Sequence, residues 1–366
     1  MPTLRQIKRT IGIFFALLVT LWSAGAARGA ITFTPGYIYS TLHWDLDSDP
    51  NGWWDIFEYS SSGRYLGSLT LSLPEGYNGE LHGIAFGPDG LLYVTVVTQV
   101  GDSFVFRIIA VDSSGAVHAT YTLNGVYIYY VDDGKIAIDR RYIYWAGGTT
   151  LVRFALGNPA SGTVIYRDDD YLHDVKILPS GNLLIADDDY IKEITTAGAV
   201  VRTLVSVSLS GLDLFKAIEY DPGNNKLFVG QLGDSNSLYE LLRINASTGA
   251  VEVGIPFSSP GDLFLTQSGT LLVGCLECDV PGIYSQDLNR VRTLGNAQRM
   301  FVTQYIPPKP VFAIPDFNGD HKTDIVWQNN VTGQRLVWLM DGTSRLSTVN
   351  LGTLSTHWTH SWDRRF

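Results

Sequence analysis

Three stretches of this chain share one grammar: an apolar strand, a tight turn closed by glycine, and a second apolar strand. The first reads Gly83-Ile84-Ala85-Phe86-Gly87-Pro88-Asp89-Gly90-Leu91-Leu92-Tyr93-Val94. The pattern returns as Asp174-Val175-Lys176-Ile177-Leu178-Pro179-Ser180-Gly181-Asn182-Leu183-Leu184-Ile185, and again as Asp262-Leu263-Phe264-Leu265-Thr266-Gln267-Ser268-Gly269-Thr270-Leu271-Leu272-Val273. Strand-opening segments fall at Ile84, Ile136, Val175, Ile218, Phe264 and Phe301, a period of roughly 40–50 residues. Further short apolar runs lie between them, so each period holds several strands. A repeat of that length built only of short strands reads as an all-β ring of blades, a β-propeller.

The two ends complete one another. Gly36–Leu42, Asp55–Tyr59 and Gly67–Leu73 supply three strands with no inner strand before them. Arg299–Tyr305 supplies an inner strand with no three after it. Joining them gives six blades over residues 32–305 and leaves no exposed pairing edge at the seam. The spacing and the Ile-Ala-x-x-Pro-Asp-Gly-like turns resemble the NHL and gluconolactonase-like six-bladed propellers. That resemblance implies a fold and leaves activity open, because propellers host binding, scaffolding and catalysis alike.

Composition limits the partners. Hydrophobic residues make up 45% and charged residues 17%, enough apolar surface for a core. The net charge of −10 argues against a nucleic-acid backbone or an anionic membrane. Residues 1–26 read as a secretory signal peptide: Arg5, Lys8 and Arg9 precede the apolar run Ile11–Trp22, and Ala24-Gly25-Ala26 suits cleavage. A retained anchor is the alternative. The mature chain, with no further apolar span, is expected to be secreted or extracytoplasmic, in a periplasm or on a cell surface. The only cysteines, Cys275 and Cys278, form Cys-Leu-Glu-Cys. Export favours a local disulfide; structural free thiols and half of a metal or redox site are the alternatives.

Ile306-Pro307-Pro308-Lys309-Pro310 breaks the strand pattern and marks a linker, residues 306–310. Beyond it, Asp316-Phe317-Asn318-Gly319-Asp320-His321-Lys322-Thr323-Asp324 places oxygen side chains at positions 1, 3, 5 and 9. Calcium takes six to eight hard oxygen ligands, and an alternating acidic loop can wrap them round one centre. A polar hairpin loop without metal is the other reading. Position 12 is Trp327 and the flanks Val311–Ile314 and Ile325–Gln328 read as strands, which excludes an EF-hand. Residues 311–359 closely resemble an FG-GAP/VCBS repeat. The resemblance implies Ca2+ held by Asp316, Asn318, Asp320 and Asp324 through side chains and by the Lys322 carbonyl. His321 stands where that family commonly has Gly. The tail, residues 360–366, departs from the family's continuation; a one-base change of reading frame can encode Ile-Ala-Gly-Thr-Gly-Asp there, so a frameshifted end is expected.

Catalytic candidates sit where inner strands begin and line a central channel. His82 and His173 occupy matching positions, with Asp174, Lys216, Asp262 and Arg299 near the same level. The string His82-Gly83-Ile84-Ala85 resembles virginiamycin B lyase-like propellers at this one spot. Two histidines with carboxylates could hold a second divalent metal or act as acid and base. A hydrated rim carrying incidental histidines is the plainer reading. Asp45–Gly52 alternates oxygen ligands around Pro50 and reads as a solvated loop or another calcium site. Asp168-Asp169-Asp170 and Asp187-Asp188-Asp189 read as solvated loop charge. Trp44, Trp53, Trp54 and Tyr59 read as blade packing or as a platform for sugar rings. The favoured expectation is an exported binding or scaffolding propeller for a protein or glycan. A metal-dependent hydrolase or lyase is the alternative.

Overall fold

The computed structural model describes residues 31–41, 54–71, 79–100, 103–123, 134–160, 162–206, 214–232, 240–257, 260–275, 281–294, 301–307, 317–318, 322, 324–329 and 332–353. The chain divides into two compact units after Pro307. The expected signal peptide, most of the linker, the strand Val311–Ile314, the Asp45–Gly52 loop and the tail lie outside the described residues.

The first unit is a six-bladed β-propeller of four-stranded antiparallel sheets. Blade 1 runs from its inner strand Gly79–Phe86 through Leu92–Val100 and Ser103–Val111 to Val117–Thr122. Blade 2 holds Lys135–Ile138, Tyr142–Gly147, Thr150–Ala155 and Thr163–Arg167. Blade 3 holds Leu172–Ile177, Leu183–Asp187, Tyr190–Ile194 and Val200–Ser206. Blade 4 holds Leu214–Asp221, Lys226–Leu232, Glu240–Asn245 and Val251–Pro256. Blade 5 holds Pro260–Leu265, Leu271–Cys275, Gly282–Tyr284 and Arg290–Thr293. Blade 6 joins the two ends, with inner strand Phe301–Gln304 pairing Ile38–Thr41, followed by Asp55–Tyr59 and Tyr65–Thr70. At the seam Ile38 lies opposite Gln304 and Thr41 opposite Phe301.

The recurrent turn has a local cause. In the first hairpin Gly90 N–H donates to the Gly87 carbonyl and Gly87 N–H donates to the Leu91 carbonyl. Leu178–Asn182 and Thr266–Thr270 repeat both bonds. This is a tight turn followed by one left-handed residue, a favoured three-residue hairpin loop. Gly90, Gly181 and Gly269 supply that residue with φ of 82°, 85° and 77°.

Apolar packing lies between blades rather than in one centre. Tyr39 and Ile56 of blade 6 pack with Leu92 and Val94 of blade 1. Phe106 and Tyr121 of blade 1 meet Trp145 and Phe154 of blade 2. Tyr144 of blade 2 meets Val175 and Ile185 of blade 3, and Leu184 meets Phe215 and Val229 of blade 4. Phe228 and Leu241 meet Leu263 and Val273 of blade 5, and Leu272 and Ile283 meet Tyr59 and Val302 of blade 6. Every blade therefore has an apolar partner on both faces, which closes the ring. Tyr59 is fully buried and Trp54 packs against the seam cluster, so these two rings serve packing. Trp44 and Trp53 lie outside the described residues. Cys275 is disulfide-bonded; Cys278, the only other cysteine, lies outside them.

The second unit contains a three-stranded antiparallel sheet, Ile325–Gln328, Gln334–Asp341 and Ser344–Thr353. Val337 and Met340 are buried, whereas Trp327, Leu346, Val349 and Leu351 are exposed. Among the described residues no helix is long and apolar enough to cross a membrane.

Blades 1 and 2 approach closely at Gly83, where an added Cβ would lie 2.6 Å from the Gly134 carbonyl oxygen and from the Lys135 Cα. Gly83→Ala is expected to cost about 1–3 kcal/mol by overpacking backbone against backbone. Urea unfolding of the two proteins checks this; equal midpoints would contradict it.

Candidate functional site

An inner strand pairs on one side only, so its other edge presents bare N–H and C=O groups to the channel. Buried groups of that kind need partners. Blade 6 supplies one: Thr41 Oγ1 donates to the His82 carbonyl at 3.2 Å. Blade 1 supplies another, Thr95 Oγ1 donating to the Gly134 carbonyl at 2.7 Å. In blades 3 to 5 carboxylates take over. Asp174 Oδ1 accepts from Val175 N–H at 2.7 Å and Oδ2 from Ile218 N–H of blade 4 at 2.9 Å. Asp262 repeats this two blade interfaces further on, with Leu263 N–H at 2.9 Å and Val302 N–H of blade 6 at 3.1 Å. Glu219 accepts from Tyr220 N–H at 2.9 Å and from the backbone N–H of Leu265 in blade 5.

Two lysines neutralise these acids and reach two blades on. Lys135 Nζ donates to the Lys216 carbonyl at 2.7 Å and lies 3.4 Å from Asp174 Oδ2 and 4.0 Å from Asp262 Oδ1. Lys176 Nζ donates to the Leu263 carbonyl at 2.9 Å and lies 3.7–3.9 Å from Glu219, Asp262 and Asp174. Burial disfavours the charged form of Lys176, but the charges of Asp174, Glu219 and Asp262 outweigh it and raise its pKa. Burial also raises Asp262, against the pull of Lys176 and Lys135. It pushes Glu219 up to about 6, with Lys176 opposing.

These groups form the inner end of a cavity of about 250 Å³. Its wall continues along the inner strands through Ala85, Ala137, Phe264 and Thr303 to Phe86, Ile138, Ile177 and Gln304. Lys176 and Glu219 keep side-chain exposures of 18% and 14%, so solvent reaches the floor.

The two histidines directly precede the cavity-lining residues Gly83 and Asp174 on the inner strands of blades 1 and 3. His82 is fully buried, its ring 5.5 Å from Phe301 and 6.5 Å from Phe106. His173 is also buried, with Nε2 2.6 Å from Asp188 Oδ1 and Nδ1 3.3 Å from Lys216 Nζ. Neither is part of a hydrated rim. Blade 2, which carries Gly134 at the matching level, separates them. Among the described residues no set of three His, Cys, Asp or Glu side chains is arranged to hold a metal ion. Arg299 lies outside the described residues. Burial opposes ionisation of Asp188, but the hydrogen bond and charge of His173 and the charge of Lys216 hold its pKa below the usual carboxylate range.

The acidic runs differ from the solvated loops expected of them. Lys192 Nζ lies 2.7 Å from both Asp168 Oδ2 and Asp187 Oδ2, and Tyr166 donates to Asp168 at 2.7 Å. This clamp ties the outer strand of blade 2 to blade 3. Asp187 is fully buried and burial pushes it up to about 6. Asp189 N–H and Tyr190 N–H both donate to its Oδ1, which shapes the turn.

Sequence reading singled out Asp174 and Asp262 but missed Lys135, Lys176 and Glu219. For Lys176 and Glu219 the available signal was a charged residue at an inner-strand position whose counterparts are Ala85, Ala137 and Phe264; Lys135 stands two residues earlier, at the level of Gly83, Asp174, Ala217 and Asp262.

In the second unit Asp324 is buried, with Oδ2 accepting from Phe317 N–H at 2.8 Å and Oδ1 from Met340 N–H at 2.9 Å. Asn318 and Lys322 are exposed, and Lys322 Nζ lies 2.9 Å from Asp341. Asp316 and Asp320 lie outside the described residues.

No family model matches the chain, and no curated protein matches it. Solved structures do. A protein from Lactobacillus plantarum is 14% identical, with 74% of this chain and 99% of that one covered and a TM-score of 0.46. Virginiamycin B lyase from Staphylococcus aureus is 16% identical over 62% of this chain and 71% of its own, at 0.42. A Bacteroides caccae protein of unknown function is 15% identical over 68% and 86%, at 0.40. These are likenesses of fold alone.

Two predictions follow from the channel. Asp174→Ala leaves the N–H groups of Val175 and Ile218 without their acceptor and takes from Lys135 its nearest carboxylate, and is expected to cost about 3–5 kcal/mol in chemical denaturation. Glu219 has a folded pKa of about 6, above its ordinary 4.5, so the folded state binds the extra proton between those values. Stability is therefore expected to rise as pH falls from 7 towards 5. Thermal unfolding of Glu219→Gln across that range should lack this component; parallel curves for the two proteins would refute it.

Proposed function

We propose that this chain is an exported binding propeller. A protein or glycan ligand docks on the face where inner strands begin, near His173, Asp188 and Lys216, and the C-terminal loop binds calcium. The carrying observation is the commitment of the channel acids: Asp174, Asp262 and Glu219 accept backbone N–H groups of the next blade. They serve as joints between blades, and His82 stands apart from His173. The calcium reading rests on hard oxygens at alternate positions and on the bond between Asp324 and Phe317 N–H, which folds the loop back on its own start. Asp316, Asn318, Asp320, Asp324 and the Lys322 carbonyl would hold the ion, which supplies charge neutralisation and stiffening there.

One observation favours the second reading, a metal-dependent hydrolase or lyase. The Asp188–His173 contact at 2.6 Å is the arrangement that orients an imidazole for proton transfer or metal binding.

Calorimetry on the mature chain separates the two. Calcium binding is expected in the wild type and in His82→Ala/His173→Ala, and its loss is expected with Asp320→Ala. A tight zinc or manganese site removed by the double histidine variant would instead move the enzyme reading ahead of the binding one. Absence of calcium binding in the wild type would overturn the C-terminal assignment.

A further inference from the structure

The channel cavity carries chemistry that the loop-face reading does not use. Its floor brings together three carboxylates, Asp174, Asp262 and Glu219, and two ammonium groups, Lys135 and Lys176. With all five ionised, one negative charge is left over. Asp174 and Asp262 are the deeper acids, at side-chain exposures of 1% and 7%, each bonded to two N–H groups. Glu219 also accepts two backbone N–H groups, but it is the most exposed of the three at 14%, and it has one lysine within 4 Å, Lys176, where Asp174 and Asp262 each have two. The surplus charge therefore faces the cavity at Glu219.

Above that floor the wall turns apolar, through Phe264, Phe86, Ile138 and Ile177. A volume of about 250 Å³ equals roughly eight waters. A divalent metal ion is disfavoured, because it takes several oxygen ligands and both oxygens of Asp174 and of Asp262 already accept backbone N–H groups. A molecule with one positive end and a short apolar body matches both the floor and the wall.

We propose that this cavity is a binding site for a small organic ammonium ion, its charged end on Glu219 and its hydrocarbon part against Phe264 and Ile177. The site is independent of the loop-face reading and stands or falls separately from it. The charged groups acting on Glu219 are Lys176 and Asp174 of blade 3; Asp262 of blade 5 and Lys135 of blade 2 line the same cavity. Burial with surplus negative charge raises Glu219 and Asp262, the direction expected of a site that gains from an added cation.

The probe is n-butylammonium, titrated into the full chain at pH 7.5 by calorimetry, with n-butanol as the neutral control. Butylammonium is expected to bind at least about tenfold more tightly than butanol, and Glu219→Gln is expected to remove that preference. In the wild type, affinity is expected to fall as pH drops through about 6, where Glu219 takes up a proton. The pH series needs no variant, so it decides the matter even where Glu219→Gln folds poorly. No binding of butylammonium, equal binding of butanol, or affinity unchanged from pH 7.5 to pH 5 would overturn the proposal.

Discussion

A ring of blades depends on what happens at the free edge of each inner strand. Every inner strand is hydrogen-bonded on one side and faces the channel on the other, where an unsatisfied N–H or C=O costs about 1–3 kcal/mol. The chain meets this demand with side chains lent from the preceding blade: Thr41, Thr95, Asp174, Glu219 and Asp262 each reach the next inner strand. Lysines 135 and 176 reach one blade further and bind carbonyls there. The charges in the channel are thus the ring's joints before they are anything else. A propeller with apolar residues at those positions would leave the same backbone groups bare.

That requirement shapes how function can be read. Charged residues in a central channel invite a catalytic reading, and on sequence alone Asp174 and Asp262 stood beside His82 and His173 as candidates. The geometry gives the acids a prior duty. It also gives His173 a partner in Asp188 while placing His82 among Phe106 and Phe301. Chemistry that remains available is found where a charge is left over, at Glu219, and where a polar pair meets the loop face, at His173 and Asp188.

The fold was legible because its rule is local. The turn glycines Gly90, Gly181 and Gly269 mark hairpins within a dozen residues, and all six expected strand openings from Ile84 to Phe301 fall on inner strands. Even the seam could be inferred, since three orphan strands and one orphan inner strand have only each other. The channel was less legible because its partners are remote. Lys135 bonds a carbonyl 81 residues away and Lys176 one 87 residues away. No window of sequence contains both ends of such a contact. The Asp168 and Asp187 runs misled for the same reason: their neutralising charge, Lys192, is recognisable only once blades 2 and 3 stand side by side.

The seam has a mechanical meaning. Ile38–Thr41 and Phe301–Gln304 lie antiparallel with four residue pairs between them, and Gly36 and Tyr37 extend the contact to Tyr305. Tension applied between residue 31 and Pro307 pulls on one end of this antiparallel ladder, where Gly36 and Ile38 face Tyr305 and Gln304, so the strands are peeled apart rather than loaded along their length. Its bonds take the load one after another, from Gly36–Tyr305 inwards to Thr41–Phe301, so the seam opens as a zip does. Synthesis sets the complementary limit, because the sixth blade has no inner strand until residue 304 has been made.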